Sequence, residues 1–155
     1  TNTVNFYVYN DGFIYYSKSS YDNSSDKIAV HITTGYIDRS IYDTHPLSYV
    51  QFLNSLTRKE ANIIEDNMNM LFSLILKAYR YDILNYDNNR LTNFVIMGCD
   101  VAVDQNLQCK IMEINKGPDL SFKDNKDKKI KQTLVDDAFR FVINNKPSEN
   151  FIHIK

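Results

Sequence analysis

The chain has no tryptophan, and only four glycines and three prolines in 155 residues. So few breakers exclude a collagen-like, Pro-rich or Gly/Ser-linker protein and leave room for long regular elements. Two cysteines, Cys99 and Cys109, are too few for a disulfide framework, and three scattered histidines with no Cys-x-x-Cys count against a zinc site. No apolar run approaches the ~20 residues that span a bilayer, and no signal peptide opens the chain. The expectation is a cytoplasmic protein with reduced thiols and no membrane partner. An excess of one charge is missing too. Eighteen Lys and Arg against 19 Asp and Glu leave a formal net charge of −1, so no broad field draws the chain to nucleic acid. The tyrosines are scattered and form no stacking platform. Neither a P-loop nor Gly-x-Gly-x-x-Gly occurs, so any nucleotide must be held in another way.

What is present is an ordinary globular composition, 43% hydrophobic and 24% charged. It suits one domain that buries roughly 70% of its unfolded surface. Residues 4–9 alternate apolar and polar, Asn10-Asp11-Gly12 turns, and Phe13 to Tyr16 returns, which predicts a hairpin. A polar loop covers 17–26, and a third strand is expected over Lys27 to Thr33. Pro46 suits the first turn of a helix running to about Leu56. Thr57 and Glu60 form a capping box, so a new helix starts there. Its apolar stripe is Ile63, Ile64, Met68, Leu71, Leu74, Ile75 and Ala78, and it ends near 81–85. Residues 86–90 read as a loop, and 127–144 as a last helix with Ile130, Leu134, Ala138 and Phe141 inward. The division expected is a domain over 1–144 and a tail over 145–155, whose segment Phe151 to Ile154 adds an edge strand or docks elsewhere. Strands, helices, two strands and a helix make an α+β domain with an antiparallel sheet packed with helices.

The most informative stretch is Val95 to Asn115. Two mostly apolar runs flank a polar break at Asp104-Gln105-Asn106, a hairpin signal. Within it lie Asp100, Glu113 and Asn115, three hard oxygen donors in a mainly apolar setting. With a two-residue loop at Gln105 and Asn106, Asp104 pairs with Leu107, Ala102 with Cys109 and Asp100 with Ile111. Asp100, Ala102 and Asp104 then share a face with Leu107, Cys109, Ile111, Glu113 and Asn115. Asp100 and Glu113 become diagonal neighbours, roughly 7–8 Å apart, within reach of one bridging cation. A four-residue loop keeps that parity, and a three-residue loop breaks it. The same register puts Cys99 and Cys109 on opposite faces. Taken alone, the two carboxylates fit either a cation site or a solvated polar face. Asp104 reads as a turn residue.

These residues carry a resemblance. Asp100, then Glu113-Ile114-Asn115 and Pro118, is similar to the Asp…Glu-(Val/Ile)-Asn…Pro signature of the tubulin–tyrosine ligase-like family. Asn5 to Gly12 resembles that family's Tyr-x-Tyr-x-x-Gly strand and turn, and Val30 to Thr34 its His-Leu-Thr-Asn segment. Asp127 through Phe141 resembles the helix after the metal strand. The likeness runs over roughly residues 5–143, in order. It implies the C-terminal part of an ATP-grasp fold and an ATP-dependent ligase that joins an amino acid to a protein carboxylate through an acyl-phosphate. It implies Asp100, Glu113 and Asn115 as Mg²⁺ ligands, with Lys116 also toward ATP, because Mg²⁺ takes hard oxygens and keeps places for phosphates. It implies His31 and Arg39 as candidate catalytic residues, Arg39 as an anion contact. An amino-acid substrate and an acceptor with an acidic tail, tubulin among the candidates, complete the set.

Each assignment has a plainer alternative: Lys116 as a solvated loop lysine, His31 as a packed strand-end residue, and the mixed-sign run Lys123 to Lys131 as a hydrated helix start rather than a holder of an acidic tail. The family has Asn where this chain has Thr34, and usually Arg where it has Tyr15. Its adenine-binding lysines would lie upstream of Thr1, so little or no ligase activity is expected of these 155 residues alone. A non-catalytic binding or structural module that keeps the fold is the second reading.

Overall fold

The computed structural model describes residues 5–33, 39–84 and 94–154. The chain forms two compact units, one from residues 1–10 and 56–155, the other from 11–55.

In the larger unit, β1 (Phe6–Tyr9) pairs antiparallel with β4 (Phe151–Ile154), with Tyr7 opposite His153. The hairpin expected between residues 4–9 and 13–16 does not form. Phe13 makes only an isolated bridge, to Ser48. The choice of partner follows from packing. Tyr7 stacks on His153 at 4.8–4.9 Å from both that ring and the edge-on Phe141 ring, and Tyr9 meets Phe151 at 5.2 Å. Such aromatic pairs add to area burial, and no local turn signal announces them.

The long helix α3 (Arg58–Leu84) starts as the capping box requires. Thr57 donates its N–H (2.9 Å) and hydroxyl (2.6 Å) to the Glu60 carboxylate, and the Glu60 N–H returns to the Thr57 hydroxyl at 3.4 Å. Its inward line is narrower than the expected stripe. Ile64 and Ile75 are buried, with Met68 and Leu71 between them half-buried, whereas Leu74 and Ala78 are exposed. The steps 64, 68, 71 and 75 make a two-per-heptad seam rather than a broad face. A second antiparallel pair, β2 (Gly98–Val103) with β3 (Cys109–Asn115), packs on α3. Cys109 is buried with its Sγ 3.9 Å from the Ile64 carbonyl, and Asn67 donates to the Leu107 carbonyl at 3.3 Å. The last helix, α4 (Asn125–Asn144), begins two residues before the expected Asp127, capped by Asp124, and its exit residue Asn145 is left-handed at φ 51°. Ala138 is buried and Ile130, Leu134 and Phe141 half-buried, as the sequence spacing implies.

In the smaller unit, the strand expected over Lys27 to Thr33 is instead α1 (Ile28–His31), a single helical turn. Only Val30 of its apolar positions is buried. Ile28 is 69% and Ile32 42% exposed, so the apolar face that a strand would make of Ile28, Val30 and Ile32 finds cover only at Val30. A 3₁₀ turn (Arg39–Asp43) and α2 (Tyr49–Ser55) complete the unit. The helix starts three residues after Pro46, at a capping box the sequence reading missed. Ser48 Oγ accepts the Gln51 N–H at 3.2 Å, while Gln51 Oε1 accepts the N–H groups of Leu47 and Ser48 at 3.3 Å. Tyr42, Leu47 and Val30 are its buried apolar residues. Helices with antiparallel strand pairs make the protein α+β, although the strands form two two-stranded ladders rather than one sheet. Among the described residues no helix is long and apolar enough to cross a membrane.

Candidate functional site

Asp100 pairs directly with Glu113. Upstream of that pair the ladder reads Val103 with Cys109, Ala102 with Lys110 and Val101 with Ile111; beyond it, Cys99 pairs with Ile114 and Gly98 with Asn115. The turn is a three-residue loop, Gln105 to Leu107, closed by Asp104 N–H to the Gln108 carbonyl at 3.0 Å. Leu107 takes φ 62°, as the last residue of such a loop does. This odd loop replaces the expected two-residue one and on its own would put the carboxylates on opposite faces. A β-bulge at Met112 adds one residue to β3 and restores them to one face.

The outcome agrees with the expected facing, but by another route and with a shorter span. Directly opposed residues stand roughly 4.5–5.5 Å apart at Cβ, closer than the diagonal pair anticipated. The rest of the expected face is corrected. Cys109 and Ile111 lie on the inward face with Val101 and Cys99, so both thiols share a face; both are free. The outward face carries Asp100, Glu113 and Asn115, with Ala102 and Lys110 beside them.

Asp100 and Glu113 are exposed and Asn115 half-buried. Among the described residues no side-chain hydrogen bond or ion pair engages these three groups. The neighbouring Lys110 turns to Asp104 instead, Nζ to Oδ2 3.8 Å. Asp104 is a turn residue as read: Oδ1 accepts the N–H groups of Asn106 (2.8 Å) and Gln108 (3.0 Å), and those bonds hold its carboxyl below the usual range. Two like charges directly opposite destabilise a sheet pair. The donor set of two carboxylates and one amide is hard and oxygen-only, which suits Mg²⁺ and leaves places for phosphate oxygens. Among the described residues no group of three His, Cys, Asp or Glu gathers to hold a metal. Pro118 closes one side. A methyl placed on Gly98 would come within 3.1 Å of Pro118 Cβ, so glycine is what lets that proline approach.

Lys116 follows β3 and is exposed. His31 and Arg39 belong to the smaller unit. His31 is exposed in the last turn of α1, its Nε2 against the Ser25 carbonyl and its ring 5.8 Å from Tyr21. It is not at a strand end. Arg39 is half-buried, with its guanidinium 5.3 Å from the Tyr42 ring centroid. Thr34 lies outside the described residues. Among the buried charges that the sequence reading missed are Asp127 and Lys131. Their signal was available: at i and i+4 they continue the apolar line of Ile130, Leu134 and Ala138.

The "Probable tubulin polyglutamylase TTLL9" of Bos taurus is 26% identical over 146 residues, 88% of this chain and 31% of that protein. The protein of the same name from Rattus norvegicus is 25% identical over the same share. The chain thus spans about a third of the length of these curated relatives. The model of the tubulin-tyrosine ligase family matches residues 1–150. With nearly its whole length matched, and the Asp100, Glu113 and Asn115 pattern on one strand-pair face, the chain belongs to the tubulin-tyrosine ligase family.

Proposed function

We propose that this chain is part of an ATP- and Mg²⁺-dependent ligase that joins an amino acid to a protein carboxylate. The acceptor is an acidic protein tail. The names of the two relatives favour tubulin as that protein and glutamate as the amino acid. The observation that carries the reading is Asp100 facing Glu113 with no cationic side chain among the described residues paired to either. A divalent cation turns that repulsion into attraction. Bound there with ATP, Mg²⁺ would offset charge on the phosphoryl oxygens as an acceptor carboxylate is activated to an acyl-phosphate.

Asp100 and Glu113 supply the anionic oxygens, Asn115 a neutral amide oxygen, and Lys116 a flexible cation for phosphate or acceptor carboxylate. His31 and Arg39, in the smaller unit, are the proposed acceptor-side contacts. A reduced, cytoplasmic setting fits the two free thiols.

The test is Glu113→Gln in the full-length protein, assayed with Mg²⁺–ATP, amino acid and an acidic peptide. Turnover should fall by ~10²-fold or more, while the exposed site keeps stability within about 0.5 kcal/mol. Retained turnover would sink the assignment. A non-catalytic module is favoured by one observation: Tyr15, where the family usually has Arg, is 43% exposed and its ring lies 6.5 Å from Phe13. That reading expects no Mg²⁺-dependent nucleotide binding with every natural partner chain present.

A further inference from the structure

The link between β3 and α4 is held along its length by two buried charges. Lys131 is 8% and Asp127 5% exposed, and Lys131 Nζ lies 3.9 Å from Asp127 Oδ2 across one helical turn. Charges are kept in such places only when paired and hydrogen-bonded. Here both also bond to the link. Lys131 Nζ donates to the Ser121 carbonyl at 2.5 Å, and Asp127 Oδ2 accepts the Lys123 N–H at 3.0 Å. Asp119 Oδ1 takes the Ser121 N–H at 2.9 Å, and Asp124 Oδ1 takes the Asp127 N–H at 2.8 Å. Residues 119–124 are thereby tied to the first two turns of α4. One residue upstream, Pro118 stands against Gly98, whose ladder partner is Asn115. A continuous series of contacts therefore runs from Lys131 through Ser121 and Pro118 to the pair that carries Asn115.

We infer that Lys131 is a positioning residue for the cation site: with Asp127 it latches the 116–124 link to α4 and so holds Pro118 and Asn115 in place beside Asp100 and Glu113. The inference rests on the cation site proposed above. Lys131 touches none of the three donors. Its effect passes through backbone, which is why a residue 16 positions beyond Asn115 can matter to that amide. An outer partner of this kind sets the orientation of a ligand, and its loss weakens metal affinity without removing a donor.

The experiment is a Mn²⁺ titration of the full-length protein, with a non-hydrolysable ATP analogue present and bound metal read by electron paramagnetic resonance. Lys131→Met should weaken Mn²⁺ ~10-fold or more, and Lys131→Arg, which keeps a buried cation, should restore most of it. Because Lys131→Met takes away the cation that pairs with buried Asp127 and can cost folding, the double variant Asp127→Leu/Lys131→Met is measured too. It removes the latch and leaves no lone buried charge. A folded double variant that binds Mn²⁺ as the wild type does overturns the latch, since a merely structural pair would lower the melting temperature and leave affinity alone. Glu113→Gln in parallel separates the two claims. Wild-type Mn²⁺ binding there overturns the cation site and the latch together. Lost binding there with wild-type binding in the double variant overturns the latch only.

Discussion

Asp100 faces Glu113 because two irregularities of the β2–β3 hairpin cancel. The three-residue loop shifts the strands by one parity step, and the bulge at Met112 shifts them back. Strand side chains alternate with period two, so either irregularity alone would send one carboxylate to the α3 side.

Deleting Met112 removes the bulge together with its extra residue, so it should leave the site intact. Ile111 would still pair with Val101 and Glu113 with Asp100, now in a regular ladder. The Met112 side chain is 70% exposed, so little packing is lost. The full-length deletion variant is expected to keep Mg²⁺-dependent nucleotide binding. Lost binding in a folded deletion variant would show that facing alone is insufficient and that the bend of the bulge is itself required.

The narrow seam of α3 separates two residues that look alike in sequence. Ile64 is 0% exposed, while Leu74 is 53% exposed. Ile64→Ala should cost about 2–5 kcal/mol in denaturant unfolding, and Leu74→Ala within about 0.5 kcal/mol. Equal losses would mean that α3 packs on a different face.

Acid should destabilise the fold through several carboxylates that accept N–H or hydroxyl protons. Glu60 is held low by the Thr57 hydroxyl and then its N–H, Asp119 by the Ser121 side chain and then its N–H, and Asp104 by the N–H groups of Gln108 and Asn106. A depressed folded value means the contribution is complete above the unfolded values, 4.5 for Glu and 3.8 for Asp, and is lost as pH falls through the folded ones. The melting temperature should be flat near neutrality and fall below about pH 4.5. Thr57→Ala should lower it by the equivalent of ~1 kcal/mol at pH 7 and make the acid limb shallower. A melting temperature that rises on acidification would contradict this.

Both thiols should react slowly. Burial, then the charge of Asp104, raises the Cys109 thiol, and burial, then Asp100, raises Cys99. The thiolate is the reacting form. With Ellman's reagent at mildly alkaline pH, both should lag a free thiol, and half-buried Cys99 should react before buried Cys109. A fast first phase at Cys109 would mean that β3 opens away from α3.

Local signals carried far where the chemistry was local. The Thr57–Glu60 box marks the start of α3 to the residue, and Ile130, Leu134, Ala138 and Phe141 name the inward line of α4. Signals failed where the partner was distant. Phe6 to Tyr9 reads as half of a local hairpin, yet Tyr7 pairs with His153, 146 positions away. Lys27 to Thr33 alternates like a strand, but only Val30 finds apolar cover.

By itself the sequence determined the α+β class, the start of α3, and which side chains bear the candidate chemistry: Asp100, Glu113 and Asn115 around a polar turn. Tertiary structure decided how those three meet. Loop length and bulge are not written in residue type, because a three-residue loop closed by a left-handed Leu107 and an extra Met112 become favourable only once Cys109, Ile111 and Ile114 are turned toward α3. Burial of that inward face sets the register, and the register, not the motif, puts two carboxylates opposite each other.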